Sequence, residues 1–173
     1  MKLNGKRVGI LVEKLYEDLE LWYPKIRLEE EGAEVKLIGM ETTTYPSKHG
    51  YPAKADLTVY DAELQEWDGL IIPGGYAPDH LRRYTEMIRF VRDQHQKGAL
   101  IATICHGPWV LISAEIVAGK KMTCFFAIKD DLINAGAQYV DEPVVVDGNL
   151  ISSRHPHDLP YFGRAIIDYL ARK

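Results

Sequence analysis

Short uncharged apolar runs alternate along this chain with longer segments in which apolar residues return every three or four positions. The runs at residues 7–12 (RVGILV), 33–38 (AEVKLI), 68–73 (DGLIIP) and 99–104 (ALIATI) read as strands buried on both faces, as parallel strands are in α/β proteins. Between them, a helix running to Glu31 is expected to open near Leu21 or to kink at Pro24, with Gly32 ending it. Leu81, Tyr84, Ile88 and Val91 predict one amphipathic helix closed by Gly98. Ile128, Leu132 and Ala135 mark a helical face capped by Gly136, and Leu159, Phe162, Ile166 and Leu170 mark a last helix. KKMTCF reads as a strand, ADLTVY as a short antiparallel or edge strand, and residues 41–52 as polar and turn-rich. VVVDGNLISS predicts a hairpin about Asp147-Gly148. Strands alternating with helices imply a flavodoxin-like α/β fold, a mostly parallel sheet covered on both faces, in one domain over residues 1–173.

The stretch ALIATICHGPWVLI organises the rest, because its apolar run stops at Cys105, turns through His106 and Gly107, and restarts as a helix at Pro108. A strand, a sharp turn and a helix place Cys105 on a nucleophile elbow, with a positive φ expected there. Backbone N–H groups at a helix start favour an anion, so the thiol is expected to ionise near neutral pH. Ligands in such folds bind beyond the carboxyl ends of the strands. Three strand ends carry polar or permissive residues: Glu17 after the first, Gly74 and Gly75 after DGLIIP, and Cys105-His106 after ALIATI.

Composition narrows the partners. The chain has 173 residues, 46% hydrophobic and 27% charged, with a net charge of -4, and no basic run. Nucleic acid and anionic membranes are therefore poor partners. The N-terminus has only a short apolar run before charge, which argues against a signal peptide or a membrane span and for a cytoplasmic protein. Two cysteines, Cys105 and Cys124, make no disulfide scaffold. Cys124 reads as a small buried hydrophobe.

The stretches YEDLELWYP, KHGY, IIPGGYAPDHLR, ATICHGPWVLISA, IKDDLINAGA and VVVDGNLISSR resemble, in order and spacing, the PfpI group of the ThiJ/PfpI superfamily. Its members are described as intracellular cysteine peptidases and as glyoxalase III-like or deglycase enzymes acting on reactive carbonyls. The resemblance implies Cys105 as nucleophile, His106 as its adjacent histidine and Glu17 as the family's buried glutamate, a protonated acid hydrogen-bonded to the thiolate. It further implies that Asp79, in the APDH turn, orients the His106 ring from a neighbouring subunit, so a homodimer or higher homo-oligomer is expected. Gly74, Gly75 and His106 are the backbone groups expected to hold an oxyanion. Where some relatives carry Tyr after KKMTC, this chain has Phe125 and then Phe126, so a phenol able to hold a substrate oxygen is absent. The apolar pair is expected to line the pocket or an interface.

No cofactor and no metal are expected, because His155 and His157 share a proline-containing loop without carboxylate or thiolate partners at ligand spacing. The substrate is expected to be a small reactive carbonyl, a glycated protein or a peptide. Thiolate attack on a carbonyl is common to deglycase and peptidase activities, with deglycation ahead. A redox-sensing or stress-associated binding protein would use the same activated thiol without turnover. A class I amidotransferase would have Gly107 in place but lacks the downstream His-x-Glu pair.

Overall fold

The computed structural model describes residues 1–173. From the N-terminus come β1 (Arg7–Leu11), α1 (Asp18–Glu30), β2 (Glu34–Gly39), β3 (Thr44–Pro46), β4 (Pro52–Lys54), β5 (Leu57–Thr58), α2 (Val59–Glu63) and β6 (Gly69–Ile72). There follow α3 (Ala77–Leu81), α4 (Thr85–Gln96), β7 (Leu100–Ile104), α5 (Pro108–Ser113) and β8 (Lys121–Met122). The chain closes with α6 (Lys129–Asn134), β9 (Gln138–Tyr139), β10 (Val144–Asp147), β11 (Leu150–Ser153) and α7 (Leu159–Arg172). The main sheet has seven strands in the order β10-β11-β7-β6-β1-β2-β5. All its neighbours are parallel except β10 and β11, which form the expected hairpin. This is the flavodoxin-like arrangement.

The uncharged runs became central strands because both their faces are covered. Alternate residues of one strand enter different cores: Ile71 packs with Leu21, Phe162 and Ile166 on one side, Leu70 and Ile72 with Phe90, Val91 and Val110 on the other. Each such side chain, fully buried, contributes about 1.5–3 kcal/mol. No helix is long and apolar enough to cross a membrane.

Several local expectations are corrected. The first helix begins at Asp18 and runs through Pro24 without ending, since burial of Leu21, Pro24 and Leu28 outweighs the one hydrogen bond that proline removes. ADLTVY is an edge strand as expected, but Leu57 and Thr58 pair parallel with β2. The Thr58 hydroxyl then accepts the Asp61 N–H and starts α2. The polar stretch after β2 contains the hairpin β3–β4, anchored by buried Tyr45 and Ala53. The amphipathic segment after Gly75 is two helices, α3 and α4, broken at Arg82–Tyr84. Only Lys121 and Met122 of KKMTCF are strand, and they pair with β9 outside the main sheet. The late hairpin turns on Gly148 and Asn149, one residue later than expected, with Gly148 at φ 59°.

Candidate active site

The carboxyl ends of β1, β6, β7 and β11 meet at one place. Cys105 follows β7 and has φ 62°, the left-handed conformation expected of an elbow and one that costs about 1–3 kcal/mol for a residue with a side chain. Its backbone is held on both sides: its N–H donates to the Ser153 carbonyl (3.1 Å), and its carbonyl accepts from the Phe125 N–H (2.9 Å). The thiol faces the backbone N–H groups of His106 and Gly75.

Gly75 sits against the segment that leaves β1. It has φ 75°, and a Cβ there would lie 2.5 Å from the Glu17 nitrogen and 2.6 Å from the Leu15 carbonyl oxygen, so only glycine fits. Gly74 plays a different part from the one expected of it. Its N–H donates to Glu20 Oε2 at 2.7 Å and is therefore not free to hold an oxyanion.

The buried carboxyl beside the thiol is Glu20, and the assignment of that place to Glu17 is corrected. Because α1 starts at Asp18, Glu20 lies in its first turn on the buried face with Leu21, Pro24 and Leu28 and is fully enclosed beneath Gly74 and Cys105. Glu17 precedes the helix, stays at the cavity mouth and pairs with Lys48 Nζ at 2.9 Å. Burial pushes the Glu20 carboxyl up to about 8, with the Gly74 N–H acting in the opposite direction. Burial, and then the charge of Glu20, push the Cys105 thiol above its ordinary value, while the N–H groups of His106 and Gly75 pull it down. The N–H groups expected to favour a thiolate are present, and burial opposes them. The two acids share one enclosure, so their protons leave in steps that belong to the pair, and loss of both is strongly disfavoured.

His106 Nδ1 lies 3.2 Å from Cys105 Sγ. The imidazole is set by aromatic rings: Phe125 stacks on it at 5.1 Å and Trp109 meets it edge-on at 5.2 Å. Burial, followed by the nearby Lys48, lowers its affinity for a proton. No carboxylate of the same chain is within hydrogen-bond reach of the ring, and Asp79 lies in the first turn of α3, bonded to Arg83.

These groups line a cavity of about 310 Å³ whose wall also includes Tyr76, His155 and Pro156. Phe125 lines it, whereas Phe126 is exposed. Cys124 is buried and does not line the cavity. Two residues of the site carry no signal in the sequence: Lys48 lies in a polar stretch without a strand pattern, and Glu20 on a helix whose opening the apolar pattern does not fix. Glu17, Asp18 and His49 are the one cluster with ligand atoms close enough for a metal ion, but Glu17 is already paired with Lys48 and His49 with Asp18.

Comparison with known proteins agrees with this fold. The model of the DJ-1/PfpI family matches residues 6–169. The chain is 49% identical over 166 residues to an uncharacterized protein of Archaeoglobus fulgidus, covering 96% of this chain and 99% of that one. It is 45% identical over 155 residues to the deglycase PfpI of Pyrococcus furiosus, covering 90% of this chain and 93% of that one. Among solved structures, a two-domain protein of Anabaena variabilis with DJ-1/ThiJ/PfpI-like and ferritin-like domains superposes with a TM-score of 0.93 at 45% identity. That match covers 95% of this chain and 48% of the other, so the chain spans about half of that protein.

Proposed function

The chain belongs to the DJ-1/PfpI family, and from that premise we propose that it is a cysteine-dependent deglycase acting on adducts of 2-oxoaldehydes such as methylglyoxal with amines. The observation that carries this reading is the elbow: a cysteine at φ 62° with its sulfur facing two backbone N–H groups and the Nδ1 of His106 at 3.2 Å.

The Cys105 sulfur bonds to the aldehyde-derived carbon of the adduct, the amine leaves with a proton, and a hemithioacetal remains. His106 takes the proton from that carbon and returns one to the neighbouring carbon, which converts the hemithioacetal into a thioester of the hydroxy acid. Water cleaves the thioester to lactate and regenerates the thiol, so no outside oxidant or reductant is needed. The N–H groups of Gly75 and His106 hold the oxygen on the attacked carbon. Glu20 in its protonated form donates to the anionic sulfur.

A cavity of about 310 Å³ suits a three-carbon dicarbonyl unit better than an extended peptide, and the named Pyrococcus relative is a deglycase. Asp79 of a second copy is the group proposed to orient His106, which makes the working form a homo-oligomer.

The test is a substrate panel on wild type and Cys105→Ser. Repeated release of lactate and free amine from methylglyoxal-treated N-acetylarginine by wild type alone is expected. Amine release from peptides instead would move the reading to a peptidase. Consumption of one equivalent per chain without turnover would move it to a redox or binding protein.

A further inference from the structure

The polar side chains around the cavity are almost all committed to one another. Glu17 holds Lys48 at 2.9 Å, Glu20 holds the Gly74 N–H at 2.7 Å, and Cys105 holds His106 at 3.2 Å. The side chains of Tyr76 and His155 alone make no hydrogen bond at all, while Glu20 Oε1 and His106 Nε2 are also left open. Tyr76 is 62% exposed and lies at the rim, whereas His155 is half-buried in the wall.

The fold accounts for the position of His155. Ser153 of β11 is in register with Ile104 of β7, so the residues after β11 run beside the elbow, and His155 passes the carboxyl end of the strand next to the nucleophile's own. Its backbone is pinned by the step that follows. Arg154 donates its backbone N–H, Nε and Nη2 to buried Asp158, and the Asp158 N–H donates back to the His155 carbonyl at 2.9 Å. The ring is therefore carried on a rigid turn.

The two ring nitrogens differ. Nδ1 is closed off from water with no partner, while Nε2 remains accessible and makes no bond within the chain. An enclosed bare N–H is rarer than an enclosed bare acceptor, which puts the ring proton on Nε2. His155 thus offers an unspent N–H donor on a fixed stretch of backbone, in the wall of the cavity that holds the thiol, and unlike His106 it makes no bond to the sulfur.

A 1,2-dicarbonyl carries two neighbouring oxygens, and the Gly75 and His106 N–H groups serve only the one on the attacked carbon. We infer that His155 is a specificity-determining residue whose Nε2–H receives the second oxygen, so that the cavity prefers 1,2-dicarbonyl units to simple aldehydes. This rests on the proposed addition of carbonyls to Cys105, but not on turnover. His155 positions the substrate; it does not move the proton that His106 moves.

The experiment reads protection of Cys105 from iodoacetamide, followed by mass on the Cys105 peptide, with methylglyoxal or propionaldehyde as protectant. Wild type, His155→Leu and His155→Gln are compared. Loss of one hydrogen bond predicts that His155→Leu needs about five- to tenfold more methylglyoxal for half-protection. Propionaldehyde protection is unchanged, and His155→Gln, which keeps a donor, recovers part of the loss. Without a carbonyl, all three proteins alkylate at one rate. Equal weakening for both aldehydes, no weakening for either, or a changed unprotected rate would each overturn the assignment. Because protection needs only addition to sulfur, a wild-type protein that is protected but never releases lactate would refute the proposed function and leave the role of His155 readable.

Discussion

Replacing Glu20 by Gln should remove a pH-dependent weakness from the fold. In the folded chain the carboxyl is raised from 4.5 to about 8 by burial, so between these values the unfolded chain gives up a proton that the folded chain keeps. The folded state then binds more protons than the unfolded one, and stability falls as pH rises. At about 1.36 kcal/mol per unit, the penalty is on the order of 3 kcal/mol at pH 7 and about 4 at pH 8, and it is absent below the unfolded value of 4.5. Glutamine preserves the contacts, its carbonyl accepting the Gly74 N–H and its amide donating toward Cys105, without an ionisable group. Urea unfolding at pH 4.5, 7 and 8 should give wild type and Glu20→Gln similar midpoints in acid. At pH 7 and 8 the variant's midpoint should be higher by about 1 M or more, for an m-value of about 1–3 kcal/mol/M. Parallel pH dependences for the two proteins would refute the claim that Glu20 is held neutral beside the thiol.

Gly75→Ala should lose more than about 2 kcal/mol in urea unfolding and slow alkylation of Cys105, because its Cβ meets backbone atoms at 2.5–2.6 Å that cannot turn aside. Asp79→Ala should lower deglycase turnover while leaving Cys105 alkylation unchanged, and mixing it with Cys105→Ser should restore some activity through a shared interface. A fully active monomer on a sizing column would end that proposal. Asp158→Asn should cost about 2–3 kcal/mol at pH 7, since it leaves the Arg154 guanidinium without its buried partner. Burial raises the Asp158 carboxyl, but the Arg154 bonds outweigh it and hold it below its ordinary value. Its stabilisation is thus present above about pH 4 and fades as pH falls further, so the gap between wild type and Asp158→Asn should narrow in acid.

The central strands and the elbow were legible because they rest on uninterrupted apolar runs and on Pro108 directly after a turn, signals carried within a few residues. Glu20 was not, because a carboxylate on a helix reads as solvated unless the helix start is known. With the start at Asp18, Glu20 faces inward and Glu17 stays outside. The hairpin β3–β4 was hidden for the opposite reason, since it buries only Tyr45 and Ala53 and its strands are three residues each. Gly74 and Gly75 look alike in sequence, and only the neighbour each N–H faces separates a carboxyl anchor from a group that faces the sulfur. The place of His155 in the cavity wall was hidden because it depends on the register of β11 against β7, a contact between residues about fifty positions apart.

The way the Cys105 backbone is pinned bears on how the protein is made. Its N–H is held by Ser153 and its carbonyl by Phe125, both later in the chain than the elbow itself. During synthesis from the N-terminus, the cysteine leaves the ribosome before either anchor exists, and β7 is still an edge awaiting β11. A nascent chain that ends soon after α5 therefore lacks both anchors, and Cys105 is free to relax out of its left-handed conformation. The elbow closes only when the last third of the chain docks, so the geometry around Cys105 is a product of the completed fold, and a truncated chain lacks it.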